Sequence, residues 1–197
     1  MTHYRFPHLA LVSWTFRFWR AYAGPITGWM LLAALGRAVQ MRIFGPVSSP
    51  VYTGLEVVVE LARIITLLVI IGHGNLRRGA QKLVLLLRYK SSNWREVGQT
   101  IWTIGRQDWP ILLWNLLAFS LLAFGFNKLN GLIADHEAVQ ALLRQNGLMH
   151  TSATGMPVFF FLKNLTVIPF TLIFEYGLFC WLAGKMMLSE RRVKAGV

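Results

Sequence analysis

Four stretches of this chain are apolar over about the length that crosses a lipid bilayer, which takes ~20 residues of helix. They run over residues 26–44, 51–72, 109–129 and 157–188 of the 197. Lipid offers no partner for a free N–H or C=O, so each stretch must satisfy its backbone internally. The expectation is an all-α membrane protein with four transmembrane helices in a single domain, residues 1–197. The last stretch exceeds one perpendicular crossing, which implies tilt or emergence from the bilayer. Pro169 lies inside it and implies a kink, because proline has no N–H and crowds the carbonyl four residues back. Gly24-Pro25 precedes the first stretch, where proline suits the first helical turn.

Composition excludes the main alternatives. Hydrophobic residues make up 55% of the chain and charged ones 14%, against roughly 25% charged in a soluble domain. A disordered chain needs the reverse balance. Basic residues number 20 and acidic ones 8, a net +12. On a soluble protein this would suggest nucleic acid. Here the surplus borders apolar stretches and no RNP-like or zinc-finger spacing accompanies it. The expected partners are therefore the bilayer and its anionic lipids, with no nucleic acid.

Shorter amphipathic segments lie between the spans. Residues 8–22 mix aromatics with Arg17 and Arg20, which predicts an interfacial helix with Trp14 and Trp19 at headgroup depth. Residues 76–89 gather Leu76, Leu83, Val84 and Leu87 on one side. Arg77, Arg78, Lys82, Arg88 and the nearby Lys90 are candidates for lipid-headgroup binding. Residues 94–106 repeat the theme with Val97, Ile101 and Ile104. Ser91-Ser92-Asn93 separates the two, and Asn93 with Glu96 has capping-box spacing. In the connection 130–156, Asp135 is expected to cap a short helix over 138–146 that stops at Gly147. Ala138, Leu142 and Leu143 are expected to pack down on the bundle mouth.

Charge sets the orientation. The segment 75–108 carries seven basic residues against Glu96 and Asp108, and the last nine residues carry three against Glu190. The connection 45–50 has no charge, and 130–156 has Arg144 against Asp135 and Glu137. Four spans with both termini inside satisfy all of these. A bacterial inner (plasma) membrane is the expected location. Ala21-Tyr22-Ala23 resembles a signal-peptidase site, but Arg17 and Arg20 interrupt the apolar run before it, so cleavage is not expected.

The informative residues are the charges inside the spans: Arg37, Glu56, Glu60, Arg63, Lys163 and Glu175. Each costs at least ~2.5–3.5 kcal/mol near the bilayer centre if it faces lipid. Glu56, Glu60 and Arg63 lie four and three apart, on one stripe of their helix. Gly36, Arg37 and Gln40 form a polar patch on the first span; Asn164, Thr171 and Glu175 line the fourth; the third offers Asn115 and Ser120. Two readings follow. The charges pair within the chain or between subunits and fix helix register. Alternatively, the two carboxylates form a proton or ion path. Arg42 and Lys128, near helix ends, are explained by snorkelling.

No catalytic constellation accompanies these charges. The five histidines show no metal-ligand spacing, and the single cysteine, Cys180, can form no disulfide within the chain and reads as a small packing residue. Nothing in the sequence names a cofactor. Nucleophile-elbow and phosphate-loop motifs are absent. Glu56-xxx-Glu60-xx-Arg63 lacks the adjacent glutamate pair and later histidines of intramembrane CAAX-type proteases. Arg42-Ile-Phe, then Glu60-Leu-Ala-Arg63 and an apolar run to Gly72, is similar to part of the small membrane subunit of TRAP transporters. The match covers about thirty residues, and Asn75-Leu-Arg-Arg-Gly79 replaces the His-Ile-x-Val-Asp-like element that follows in that family. The resemblance implies a small helical subunit of a transporter. The expectation is a non-enzymatic, multi-pass subunit of a larger membrane assembly, bound to other subunits or to copies of itself. The alternative is a stand-alone oligomeric transporter or channel using Glu56 and Glu60. A lipid- or isoprenoid-modifying enzyme, framed by the two amphipathic helices, ranks third.

Overall fold

The computed structural model describes residues 9–88 and 94–194, and every regular element among them is a helix. They are α1 (Ala10–Gln40), α2 (Ser49–Ile71), α3 (Leu76–Arg88), α4 (Trp94–Asp135), α5 (Glu137–Gln145), α6 (Met156–Leu165) and α7 (Val167–Lys194). Two stretches are long and apolar enough to cross a membrane: Gly105–Asp135 in α4, and Met156–Leu182 across α6 and α7. The other two expected spans are helical but less apolar. Every 18-residue stretch of α2 carries Glu56, Glu60 and Arg63, and α1 is diluted by Gly24, Pro25, Thr27, Gly28 and Arg37.

Three prolines explain where the helices differ from the expected segments. The segments 8–22 and 26–44 are one element, α1, which loses helical geometry at Tyr22, three residues before Pro25. Its N-terminal half does not merely lie along a surface: Thr15 and Phe18 are buried, and Trp14, Phe16 and Trp19 pack on Tyr176 and Phe170 of α7. His8 is outside the described residues. The segments 94–106 and 109–129 likewise merge into α4, interrupted at Asp108 just before Pro110, and the helix runs on to Asp135. The kink expected at Pro169 is a break at Thr166 between α6 and α7. In each case the missing N–H and the ring of proline disturb the preceding turn. At Thr166 the polar groups are satisfied locally. Its N–H and its hydroxyl both donate to the Leu162 carbonyl, and Asn130 Nδ2 donates to its Oγ1 at 2.9 Å.

The core is centred on α1. Ile26, Met30 and Ala33 meet Val59, Ala62, Val69 and Ile70 of α2 and Ile173 of α7. Small residues let α1 and α2 approach closely: a Cβ at Gly36 would lie 2.8 Å from Val59 Cγ2. Such close approach brings the two helices into extensive van der Waals contact. A second cluster, Ala134, Met149, Ala153 and Val158, closes the end that carries α5.

At the opposite end the chain turns sharply from α2 into α3. His73 and Gly74 have left-handed φ values of 53° and 87°. Cβ atoms at Gly72 and Gly79 would run into the Asn75 and Leu68 carbonyls. These glycines let α3 return across the last turn of α2, where Lys82 Nζ donates to the Ile71 carbonyl at 3.0 Å. A cation there complements the negative end of the helix dipole.

The short helix before residue 147 differs from expectation. α5 starts at Glu137 with His136 in the cap position and no side-chain cap, so Asp135 instead ends α4. Only Leu143 of its three apolar candidates packs inward; Ala138 and Leu142 are exposed. Gly147 follows in a left-handed turn, as expected. Asn93, the proposed cap of 94–106, is outside the described residues.

Candidate functional site

The close approach at Gly36 carries the next residue, Arg37, against α2. Its guanidinium forks onto Glu56, with Nη1 2.9 Å from Oε2 and Nη2 3.3 Å from Oε1. The same Nη2 lies 3.7 Å from Glu60 Oε1. Gln40, one turn later, accepts from Arg37 and donates from Nε2 to Glu56 Oε2 (2.8 Å) and to the Tyr52 carbonyl (3.0 Å). Arg63 donates to Glu60 at 2.6 Å and to Asn164 Oδ1 at 3.0 Å. Asn164, fully buried on α6, is held in turn by its own bond to the Phe160 carbonyl. The result is one line of hydrogen bonds and ion pairs from α1 through α2 to α6, with the 3.7 Å Arg37–Glu60 ion pair as its middle link.

Two arginines and two glutamates make this line neutral. It is not symmetrically buried. Arg37 is 15% exposed in its side chain, while Glu56 and Glu60 are 39% and 48% exposed. Glu60 lies about 16 Å along a helix ~34 Å long, on a side that also exposes Val57, Leu61 and Ile64. The carboxylates therefore emerge beside an apolar surface. Arg63 Nε is buried without a hydrogen-bond partner among the described residues, so Asn164 is an important acceptor for that side chain. Asn164→Leu is expected to cost about 1–3 kcal/mol by stranding a donor. A lowered thermal midpoint in mild detergent would record it; an unchanged midpoint would mean that another acceptor replaces the amide.

Of the six intramembrane charges expected to share a seam, four meet here. Lys163 does not. Its ammonium sits over Phe159 and Phe160, 5.8 and 6.0 Å from the ring centres, a cation–π arrangement. Glu175 is exposed on α7 and forms no salt bridge among the described residues. On α4 Asn115 is buried and receives the Leu11 N–H at 3.2 Å, fixing the start of α1, whereas Ser120 is exposed. On α3, Arg77, Arg78, Lys82 and Arg88 are exposed, with Lys82 engaged at the end of α2. Lys90 is outside the described residues.

A cavity of about 420 Å³ opens at the α3 end of the bundle, and sequence reasoning did not anticipate it. Trp14 and Arg17 of α1, Asn115 of α4, and Tyr176 and Trp181 of α7 line it, with His73 beyond α2. The histidine ring sits edge-on to Phe18, Tyr22 and Tyr176, with centroids 5.5–6.1 Å apart. Cys180, expected as an inert packing residue, is instead exposed and on the cavity wall. The only hint in the sequence was the pairing of Arg17 with nearby tryptophans, which a flat interfacial helix also explains. No family model matches the chain, and comparison with curated proteins and with solved structures finds no similar protein.

Proposed function

We propose that the protein is a non-enzymatic, multi-pass integral subunit of a larger membrane assembly. One observation carries this reading: Glu60, nearly half exposed, stands midway along the apolar outer face of α2. In lipid that surface is costly; against a second protein surface with matching donors it becomes an address. Four spans, made of α1, α2, the Gly105–Asp135 stretch, and α6 with α7, suit the helix lengths. The basic residues of α3 favour an orientation with α3 and both termini inside, and we assign the bacterial inner membrane on the same charge rule. The outer surface of α4 also supports a membrane: only 6% of its most apolar stretch is buried by the rest of the chain.

The test is gentle purification from the native membrane, followed by native mass spectrometry. A stoichiometric partner or second copy is the expected result. Leu61→Trp lies on the same face and leaves the ionic network intact; it should release that partner without lowering the thermal midpoint. Glu175→Lys should do the same if α7 shares the contact. A monomer without partners would overturn the reading.

A stand-alone oligomeric transporter or channel is the second reading. It is favoured by the accessibility of both carboxylates. It requires pH-driven flux in proteoliposomes that Glu60→Gln abolishes. The neutral pairing of Glu56 and Glu60 with two arginines weighs toward the first reading, since it leaves no surplus charge for a carrier.

A further inference from the structure

We propose that the cavity at the α3 end of the bundle is a binding site for an anionic phospholipid, with the phosphate on Arg17 and an acyl chain among the aromatic rings. Its volume, about 420 Å³, falls within the range of small-ligand pockets, ~300–1,000 Å³. Its wall is mainly apolar and aromatic, with Trp14, Tyr176 and Trp181. Among the described residues no carboxylate lines it. Arg17 lines the wall, and no described carboxylate forms a salt bridge with its cationic fork. A guanidinium presents paired donors that match a phosphate bidentately. Asn115 and His73 add polar groups to the same wall.

Position selects a lipid as the source of that phosphate. The cavity lies level with the last turn of α2: Tyr176 approaches the Ile71 carbonyl, and His73 packs against Phe18 and Tyr176. Tryptophan and tyrosine concentrate where hydrocarbon gives way to headgroups. A molecule that is apolar at one end and anionic at the other fits both halves of such a wall. The site is distinct from the basic surface of α3, none of whose arginines lines the cavity.

Cys180 provides the readout, as the single cysteine of the chain and a lining residue. The full-length protein in mild detergent is titrated with dioleoylphosphatidylglycerol, dioleoylphosphatidylcholine or glycerol phosphate, and alkylation of Cys180 by N-ethylmaleimide is timed. Phosphatidylglycerol should slow alkylation and remain as one bound molecule in native mass spectra. Arg17→Gln should weaken its protection about tenfold, the scale of one charge-assisted contact. Arg17→Lys should restore part of it. Arg77→Gln with Arg78→Gln should leave protection unchanged. Equal protection by both lipids, retention in Arg17→Gln, or loss in the α3 variant would each overturn the assignment. Protection by glycerol phosphate alone would replace the lipid with a free phosphate. A protein partner found or missing elsewhere on the molecule leaves these outcomes unaffected.

Discussion

Arg37→Leu is expected to lower the thermal midpoint in mild detergent by about 5–10 °C, equivalent to ~2–4 kcal/mol for a chain of this size. The arginine is mostly enclosed and joins Gln40, Glu56 and Glu60. Without it Glu56 retains Gln40 but loses its counter-ion, and the line carries a surplus negative charge. Removing one member of an enclosed ion pair is far more damaging than removing both. Arg37→Leu combined with Glu56→Leu should therefore recover most of the loss, since Glu60 and Arg63 remain paired. Glu56→Leu alone should fall between, because Arg37 still reaches Gln40 and Glu60. A double variant as unstable as Arg37→Leu would mean that hydrogen-bond geometry, and not charge balance, holds α1 to α2.

Gly79→Ala should be at least as severe, costing about 3 kcal/mol or more because the obstruction is backbone and has no rotamer to adjust. The added methyl would meet the Leu68 carbonyl and force α3 away from the last turn of α2. The Lys82 bond to Ile71 would go with it. A lower thermal midpoint and faster tryptic cleavage after Arg77 and Arg78 would report the displacement. Gly54→Ala is the control, since nothing lies within 4 Å of a Cβ there and α2 should gain up to ~1 kcal/mol of helix propensity. Equal behaviour of the two variants would show that the corner is not held by close backbone approach.

The helices were legible in the sequence because apolar length and backbone satisfaction leave little choice of secondary structure. Their joints were less so. Pro25 was expected to open a new helix, and residues 94–106 and 109–129 to be separate helices, yet α1 and α4 each run through with one distorted residue. That Glu56, Glu60 and Arg63 share a stripe was readable from spacing, since residues three and four apart share a helix face; the contact with Arg37 depends on how α1 packs against α2. Lys163 and Glu175 were not placed by the same logic, because period alone does not say which neighbour a face meets. Lys163 turned to two phenylalanine rings. The cavity was invisible for a related reason: Arg17, His73 and Tyr176 come from distant parts of the chain, and only tertiary packing brings them to one wall.

The ionic line between α1 and α2 also bears on how the protein is made. On the proposed four-span topology, α2 presented alone to the translocon carries three charged residues, each worth roughly 2.5–3.5 kcal/mol against lateral release at the helix centre. α1 brings Arg37, with a similar penalty. Offered together as a hairpin, joined by only residues 41–48, they neutralise most of that cost before entering lipid. On that topology biogenesis favours a two-helix unit that waits for its second member, so the emergence of α2 from the ribosome would be the committing step for α1 as well.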